Sequence, residues 1–452
     1  MMSEQPQVLG RLFGIFSASV MIRFIRLGLN VLIIAMLGRY LGEGTMGQLL
    51  TAQATVAVLL CVAELGFARI TVRELVKDPA DEERTLGATF YTRLFIGTTM
   101  LVMLALASIG LPENERLLLL SYGLLLPTHG FAELGSWIEA RGQVKRAAWA
   151  QLWAFLAGAL LILAGVVMKA PPIVFALGYV LECWLSSFFL MGLFHSMGGH
   201  MSRWWWSSKR ALSLLRESWP EMVAQMALVL LYRIDVIMVK AMRGDAEAGV
   251  YGAAVRVSEA MDFVPVALAS VVLPQLISLQ GRDPRQYEKR FADYFGVSLV
   301  ISLLGAIGLQ IASGPIVGLL WGDGFKGSSG ILAIHAWAFI PYCLGVARTQ
   351  YLAAESKLWA NLPSVLLALA TNIVLNWLWI PRWSGAGAAW ATLVSYTVAW
   401  VFTSFLLPGV RPVAALKIRS LLQLPHLIIE LVGRARTQCF PAKAQSDSLP
   451  PL

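Results

Sequence analysis

The sequence predicts an all-α, polytopic membrane protein of about twelve transmembrane helices. Apolar runs of roughly 20 residues, the length a helix needs to cross a bilayer, recur from one end of the chain to the other. Charged residues make up only 14% of the sequence against 57% hydrophobic, where soluble domains carry about a quarter charged. The connections between the runs are short, and none is long enough to fold as a separate domain.

The predicted spans cover 12–37, 46–69, 86–110, 117–139, 147–169, 172–194, 214–241, 248–277, 291–316, 330–354, 358–380 and 386–408. The N-terminus, MMSEQPQVLGRLFGIF, lacks a short apolar core with a small-residue cleavage site and reads as retained. After Leu407, LKIRSLLQLPHLIIELVGRAR is basic and amphipathic, as expected of a surface helix, and AKAQSDSLPPL reads as disordered. The net charge of +9 sits mostly in short loops. It therefore points to lipid headgroups and topology control rather than to nucleic acid. Even-numbered loops hold fifteen Lys and Arg against seven in the odd ones, which places the even loops and both termini in the cytoplasm. Trp204, Trp205 and Trp206, beside Lys209 and Arg210, suit an interfacial aromatic belt. The four cysteines show no CxxC spacing, so neither a disulfide framework nor a metal site is expected.

Two halves are visible. LGEGTMG (41–47) follows the first span and RGDAEAG (243–249) follows the seventh, with Gly42/Gly47 and Gly244/Gly249 at the same spacing. WAQL (149–152) and WANL (359–362) open the fifth and eleventh spans, and Pro127 and Pro341 each precede an alanine by 13 residues. The common order suggests two parallel six-helix repeats, a transporter signature. The expected organisation is a six-helix lobe over 1–200, a second over 201–408 and a cytoplasmic tail over 409–452.

Four stretches carry a family resemblance: GRYLGEGTMGQLLTAQATVAVLLCVAELGFARITVREL (38–75), YRIDVIMVKAMRGDAEAGVYGAAVRVSEAMDFVP (232–265), WGDGFKGSS (321–329) and KLWANLPSVLLALATNIVLNWLWIPRWSGAGAAWATLVSY (357–396). In this order they resemble the Wzx-like oligosaccharide flippases of the MOP superfamily, over most of residues 10–408. The resemblance implies translocation of a polyprenyl-diphosphate-linked glycan from the cytoplasmic to the periplasmic leaflet, by two MATE-like lobes around a central cavity. It also implies membrane lipids, and polysaccharide polymerase and export machinery, as partners. Twelve spans, rather than the fourteen typical of lipid II flippases, favour the Wzx-like branch.

Passing a diphosphate through hydrocarbon calls for cationic partners. An arginine at the bilayer centre costs about 2.5–3.5 kcal/mol on insertion scales, so such residues usually face a cavity. Ser19, Arg23, Arg26 and Asn30 share one helical face. Arg23, Arg26, Arg93, Arg233 and Arg256 are the candidate diphosphate ligands in a basic cavity, with interhelical pairing as the other reading. Arg348 lies near the cytoplasmic end of its span, where snorkelling is at least as natural. Glu64, Asp235, Glu259 and Asp262 are candidates for binding a coupling ion or for pairing with arginine, as Arg256 could with Glu259. His129 and His335 fit interhelical hydrogen bonds. No nucleophile–base pair or metal-ligand cluster marks a catalytic or cofactor site, so no enzyme activity and no cofactor is expected. The alternatives are an exporter of small organic cations with the same fold and a non-catalytic membrane component of polysaccharide assembly.

Overall fold

The computed structural model describes residues 5–280 and 283–423, with side chains from Met21 onward except those of Arg23 and Phe24. Helices α1 (Gln5–Glu64), α2 (Phe67–Lys77), α3 (Glu82–Ala107), α4 (Glu113–Gly123), α5 (Ala132–Ala140), α6 (Val144–Val167) and α7 (Pro172–Ser196) form an N-terminal lobe. A C-terminal lobe follows from α8 (Ser208–Arg243), α9 (Asp245–Met261), α10 (Phe263–Leu279), α11 (Pro284–Leu320), α12 (Gly327–His335), α13 (Phe339–Ala354), α14 (Leu362–Thr397) and α15 (Thr403–Leu406). Among the described residues there is no strand.

Among the described residues, ten helical stretches are long and apolar enough to cross a membrane. Two of them, Ile25–Lys77 and Leu358–Leu406, are hairpins that cross twice, which makes twelve passes. In α1 the reversal falls at Gly42 (φ 73°, ψ 171°), a backbone region essentially restricted to glycine. Leu27 and Gln53 would be about 39 Å apart on a straight helix, yet Leu27 lines the same cavity as Arg256, and Gln53 accepts from that arginine. In α14 the reversal falls at Ser384 (φ 52°, ψ −135°), just after Pro381. Asn376 and Thr392, on either side of it, hydrogen-bond the same carboxylate, that of Asp235. Gly244, between α8 and α9, adopts φ 89° and ψ 179°, nearly the geometry of Gly42. The glycine spacing repeated in the sequence is thus a repeated chain reversal.

The lobes share one apolar core, with Ile34 and Met46 of α1 packed among Val239, Tyr251, Trp321 and Ala388. A second core, including Leu37, Tyr122, Phe155 and Phe175, lies within the N-terminal lobe. Helix α8 straddles the two. Ser207 caps its first turn, accepting from the Arg210 backbone amide. Its opening stretch is fastened to the N-terminal lobe by Arg210–Glu74 (3.0 Å), Arg210–Asp81 (3.2 Å) and Arg73–Glu217 (2.6 Å). Pro220 lies inside the helix, and beyond it Ala227 and Leu231 pack in a C-terminal core with Tyr396 and Trp400. The sequence-based boundary at residue 200 precedes this helix, whose first turns belong by contact to the N-terminal lobe.

After α15 the chain turns and forms a helix over 411–423. Its Val413 and Leu416 pack against α10, α11 and α13, while Ile418, Leu421 and Leu422 stay exposed. The rest of the tail expected to be amphipathic or disordered lies outside the described residues. Lys417 is buried and donates to the Ser404 hydroxyl (3.0 Å) and to the Trp400 carbonyl. That carbonyl lies in a π-helical turn, Val398–Phe402. Burial, and secondarily Arg348 nearby, push the Lys417 ammonium down from 10.5 to about 7. The undocked helix therefore binds more protons above about pH 7, and docking strengthens as pH rises through the interval up to the ordinary lysine value. Below about pH 7 both states are protonated and docking stays at its weakest. Hydrogen exchange over 411–423, corrected for intrinsic rate, should slow between about pH 7 and about pH 9, and Lys417→Met should remove the trend.

Candidate functional site

A cavity of 330 Å³ lies in the C-terminal lobe, against Leu27 of α1. Helix α8 contributes Tyr232, Arg233 and Asp235, and α9 contributes Tyr251, Arg256 and Glu259. Asp262 sits at the α9–α10 break. His335 and Tyr342, with Thr392 and Tyr396 from α14, complete the lining. Arg256 is eleven residues into α9, about 16 Å along the helix from its start, which is mid-bilayer depth.

The lining is not the basic surface expected from the sequence. Two arginines, Arg233 and Arg256, share it with three carboxylates, Asp235, Glu259 and Asp262. Glu259 is the hub, pairing with Arg233 at 2.8 Å and with Arg256 at 3.4 Å. Arg256 also donates to Gln53 of the N-terminal lobe at 2.5 Å, so this one guanidinium spans both lobes. Asp235 is buried and meets no cation among the described residues. It accepts from Tyr251 (2.8 Å), Asn376 (2.6 Å) and Thr392 (2.5 Å), and the Asn376 Oδ1 beside it has no partner. Asp262 has neither ion-pair nor hydrogen-bond partner for its carboxylate among the described residues. His335 makes its interhelical bond, Nδ1 to the Ser258 hydroxyl at 2.9 Å.

The other sequence candidates go elsewhere. Arg26 is half-buried, pairs with Glu182 of α7 at 2.7 Å and lies over the Phe155 ring. The Arg23 side chain lies outside the described residues. Glu64 is half-buried, without a side-chain partner among the described residues, next to the left-handed Leu65 and Gly66 that end α1. Arg93 does not line the cavity. It is fully buried within the N-terminal lobe, 2.8 Å from the equally buried Glu133, and its Nε caps the Glu64 carbonyl at 3.1 Å. A lone charge at that depth is costly, and an opposite charge one helix away offsets that cost. Arg348 does not snorkel. It is fully buried and donates to the Ala399 carbonyl (2.8 Å), Thr403 (2.8 Å) and Ser364 (2.5 Å). His129 leaves its buried Nδ1 without a partner, contrary to the bond expected for it.

At one end the lobes are sealed by backbone. A methyl group on Gly47 would sit 1.8 Å from the Asp245 carbonyl oxygen, and one on Gly249 would sit 2.0 Å from that of Glu43. The two contacts are counterparts under the 202-residue repeat. Gln48 donates to Asp245 (2.8 Å), and Lys240 joins Glu115 (2.6 Å) to Asp245 (3.0 Å). Arg39 of α1 caps α11 through the carbonyls of Gly318, Leu319 and Leu320.

Fold and site define a two-lobed helical membrane protein with a polar cavity in the C-terminal lobe, against α1, and one sealed end. The chain belongs to the polysaccharide biosynthesis protein family, whose model matches residues 14–280; the lipid II flippase MurJ family model matches residues 154–432. A probable low-salt glycan biosynthesis flippase, Agl15 of Haloferax volcanii, is 24% identical over 193 residues, 42% of this chain. The chain spans about two fifths (41%) of that relative's length. A structure of the lipid II flippase MurJ in an inward closed conformation matches with a TM-score of 0.72 at 13% identity, covering 92% of each chain. An inward-facing multidrug resistance MATE family transporter of the MOP superfamily matches with a TM-score of 0.71 at 15% identity, covering 86% of this chain and 95% of that one. At these identities the two structures share the fold.

The Arg93–Glu133 pair has a measurable signature. Glu133→Ala leaves a buried guanidinium uncompensated and should destabilise the protein by about 3–5 kcal/mol, whereas Arg93→Met with Glu133→Leu should recover most of that loss. Thermal melting of purified protein in detergent reads both. Equal melting of wild type and Glu133→Ala would show that the pair carries no stability.

Proposed function

We propose that this protein flips a polyprenyl-diphosphate-linked glycan across the bacterial inner membrane by alternating access, as a non-catalytic translocase. The observation that carries the reading is Arg256, which reaches both lobes and shares one glutamate with Arg233. Two guanidiniums held by one carboxylate can exchange it for a diphosphate, which accepts from both in the planar, bidentate manner that suits arginine. Arg26, and Arg23 on the same helical face by sequence, would extend the phosphate path along α1. Binding there loosens Glu259 and Gln53 from Arg256, and so couples occupancy to the contact between lobes.

With the loop-charge orientation, both termini are cytoplasmic and the Gly47–Gly249 crossing lies at the periplasmic end. The conformation described is then closed to the periplasm. The polyprenyl tail stays in lipid, so the cavity must open sideways between the lobes. Asp235, which accepts from two hydroxyls and one amide N–H, is our choice for the coupling ion or proton. A second reading, export of small organic cations, is favoured by the excess of carboxylate over arginine in the cavity lining.

Reconstituted vesicles with a fluorescent polyprenyl-diphosphate glycan test the main reading. Paired cysteines, one in 42–47 and one in 244–249, should cross-link, and oxidation should stop flipping until the bond is reduced. Gly47→Ala cannot re-form the crossing and should lower flipping at least about tenfold, because each turnover passes through the closed state. Undiminished flipping by the oxidised pair would place the gate elsewhere.

A further inference from the structure

The cavity is lined by two chemically distinct groups of side chains. One is the ion-paired set of Arg233, Arg256 and Glu259, two cations on one anion. The other is a cluster of three tyrosines with one free carboxylate. The rings of Tyr232, Tyr342 and Tyr396 form a triangle, with centroids 6.5, 5.9 and 6.5 Å apart. None of their hydroxyls has a hydrogen-bond partner among the described residues. None is sealed off either, unlike the buried hydroxyls of Tyr122 and Tyr294. Asp262 opens onto the same space with its carboxylate unpartnered, and Phe339 adds an apolar face.

Phenols without partners inside a membrane protein are unusual, since a buried tyrosine hydroxyl normally finds one. A free carboxylate at this depth is costlier still. Both are accounted for if a ligand supplies the missing bonds. Charged phosphate does not fit, because Asp262 repels it and tyrosines add no cation. An organic cation fits Asp262 but leaves the three phenols without partners. A polyol fits every group: vicinal hydroxyls donate to the carboxylate, phenols both donate and accept, and ring faces cover the apolar side of a pyranose. At 330 Å³ the space lies near the lower end of ligand pockets, about 300–1,000 Å³, and suits the end of a glycan rather than the whole of it.

We infer that Asp262, Tyr232, Tyr342 and Tyr396 form a sugar-recognising subsite, separate from the arginine cluster that takes the diphosphate. It rests on the flippase reading and adds to it a selectivity for glycan. Loading would then be sensed at two points, lipid-phosphate at the lobe interface and sugar within the C-terminal lobe.

The test uses the full-length protein in lipid nanodiscs with two probes, farnesyl diphosphate and the same lipid diphosphate carrying an N-acetylglucosamine disaccharide. Wild type should bind the glycosylated probe about tenfold more tightly. Asp262→Asn and Tyr342→Phe, both nearly isosteric and checked by melting temperature, should erase that preference while leaving farnesyl diphosphate affinity unchanged. Tyr342→Phe removes one hydroxyl only, so it reports even if Asp262→Asn folds poorly. A preference that survives both substitutions would overturn the subsite and leave the flippase reading intact. If wild type bound neither probe, the flippase reading would fall and the subsite with it. Tetraphenylphosphonium binding that depended on Asp262, without any glycan preference, would overturn the subsite in favour of a cation site.

Discussion

The closed arrangement depends on two carbonyl oxygens lying where side chains would otherwise be. Asp245 and Glu43 each place backbone oxygen within 2.0 Å of the position of a missing Cβ, at Gly47 and Gly249. Nothing larger than hydrogen fits there, and the approach allows Cα–H···O contacts of the kind that hold small-residue helix crossings together in membranes. Water gives no hydrophobic driving force between helices inside a bilayer, so close packing has to supply the cohesion. Three further features follow from this crossing. The Gly42 and Gly244 reversals present both helix starts to each other. Asp245 comes within reach of Gln48 and Lys240. Helices α1 and α9 then run together into the membrane, carrying Gln53 to Arg256.

The same low dielectric governs the charges. Among the membrane-embedded arginines with described side chains, each has an assigned partner: Arg26 with Glu182, Arg93 with Glu133, Arg233 and Arg256 with Glu259, and Arg348 with a carbonyl and hydroxyls. An arginine count alone overstates how much positive potential a substrate meets. What distinguishes the cavity is partial satisfaction: two cations on one anion, and two aspartates, Asp235 and Asp262, paired with no cation among the described residues.

The sequence makes the helices legible because length and apolarity decide them, and it makes the repeat legible because glycine at a reversal or a crossing cannot be replaced. Gly42, Gly47, Gly244 and Gly249 were visible for that reason. The pairing of Arg256 with Glu259 was readable from their i, i+3 spacing. The partner of Arg93 is not legible, because Glu133 is 40 residues away and helical spacing says nothing about which neighbouring helix a face meets. The Asp235 cage was missed for a similar reason: Asn376 and Thr392 meet only because Ser384 folds α14 back on itself. The serine there, next to a GAGAA run, gave no turn signal as strong as glycine. The tyrosine triangle draws on α8, α13 and α14, and its members look like ordinary apolar filling one at a time.

Helix α8 is tied at its start to one lobe by three ion pairs and belongs after Pro220 to the other. The lobes are therefore joined by a stiff rod rather than by a slack cord. A rod resists stretching and twisting but yields at the turn where proline removes a backbone hydrogen bond. Relative motion of the halves is thereby narrowed toward bending about one axis, in the way a book's spine allows its covers to open but not to slide.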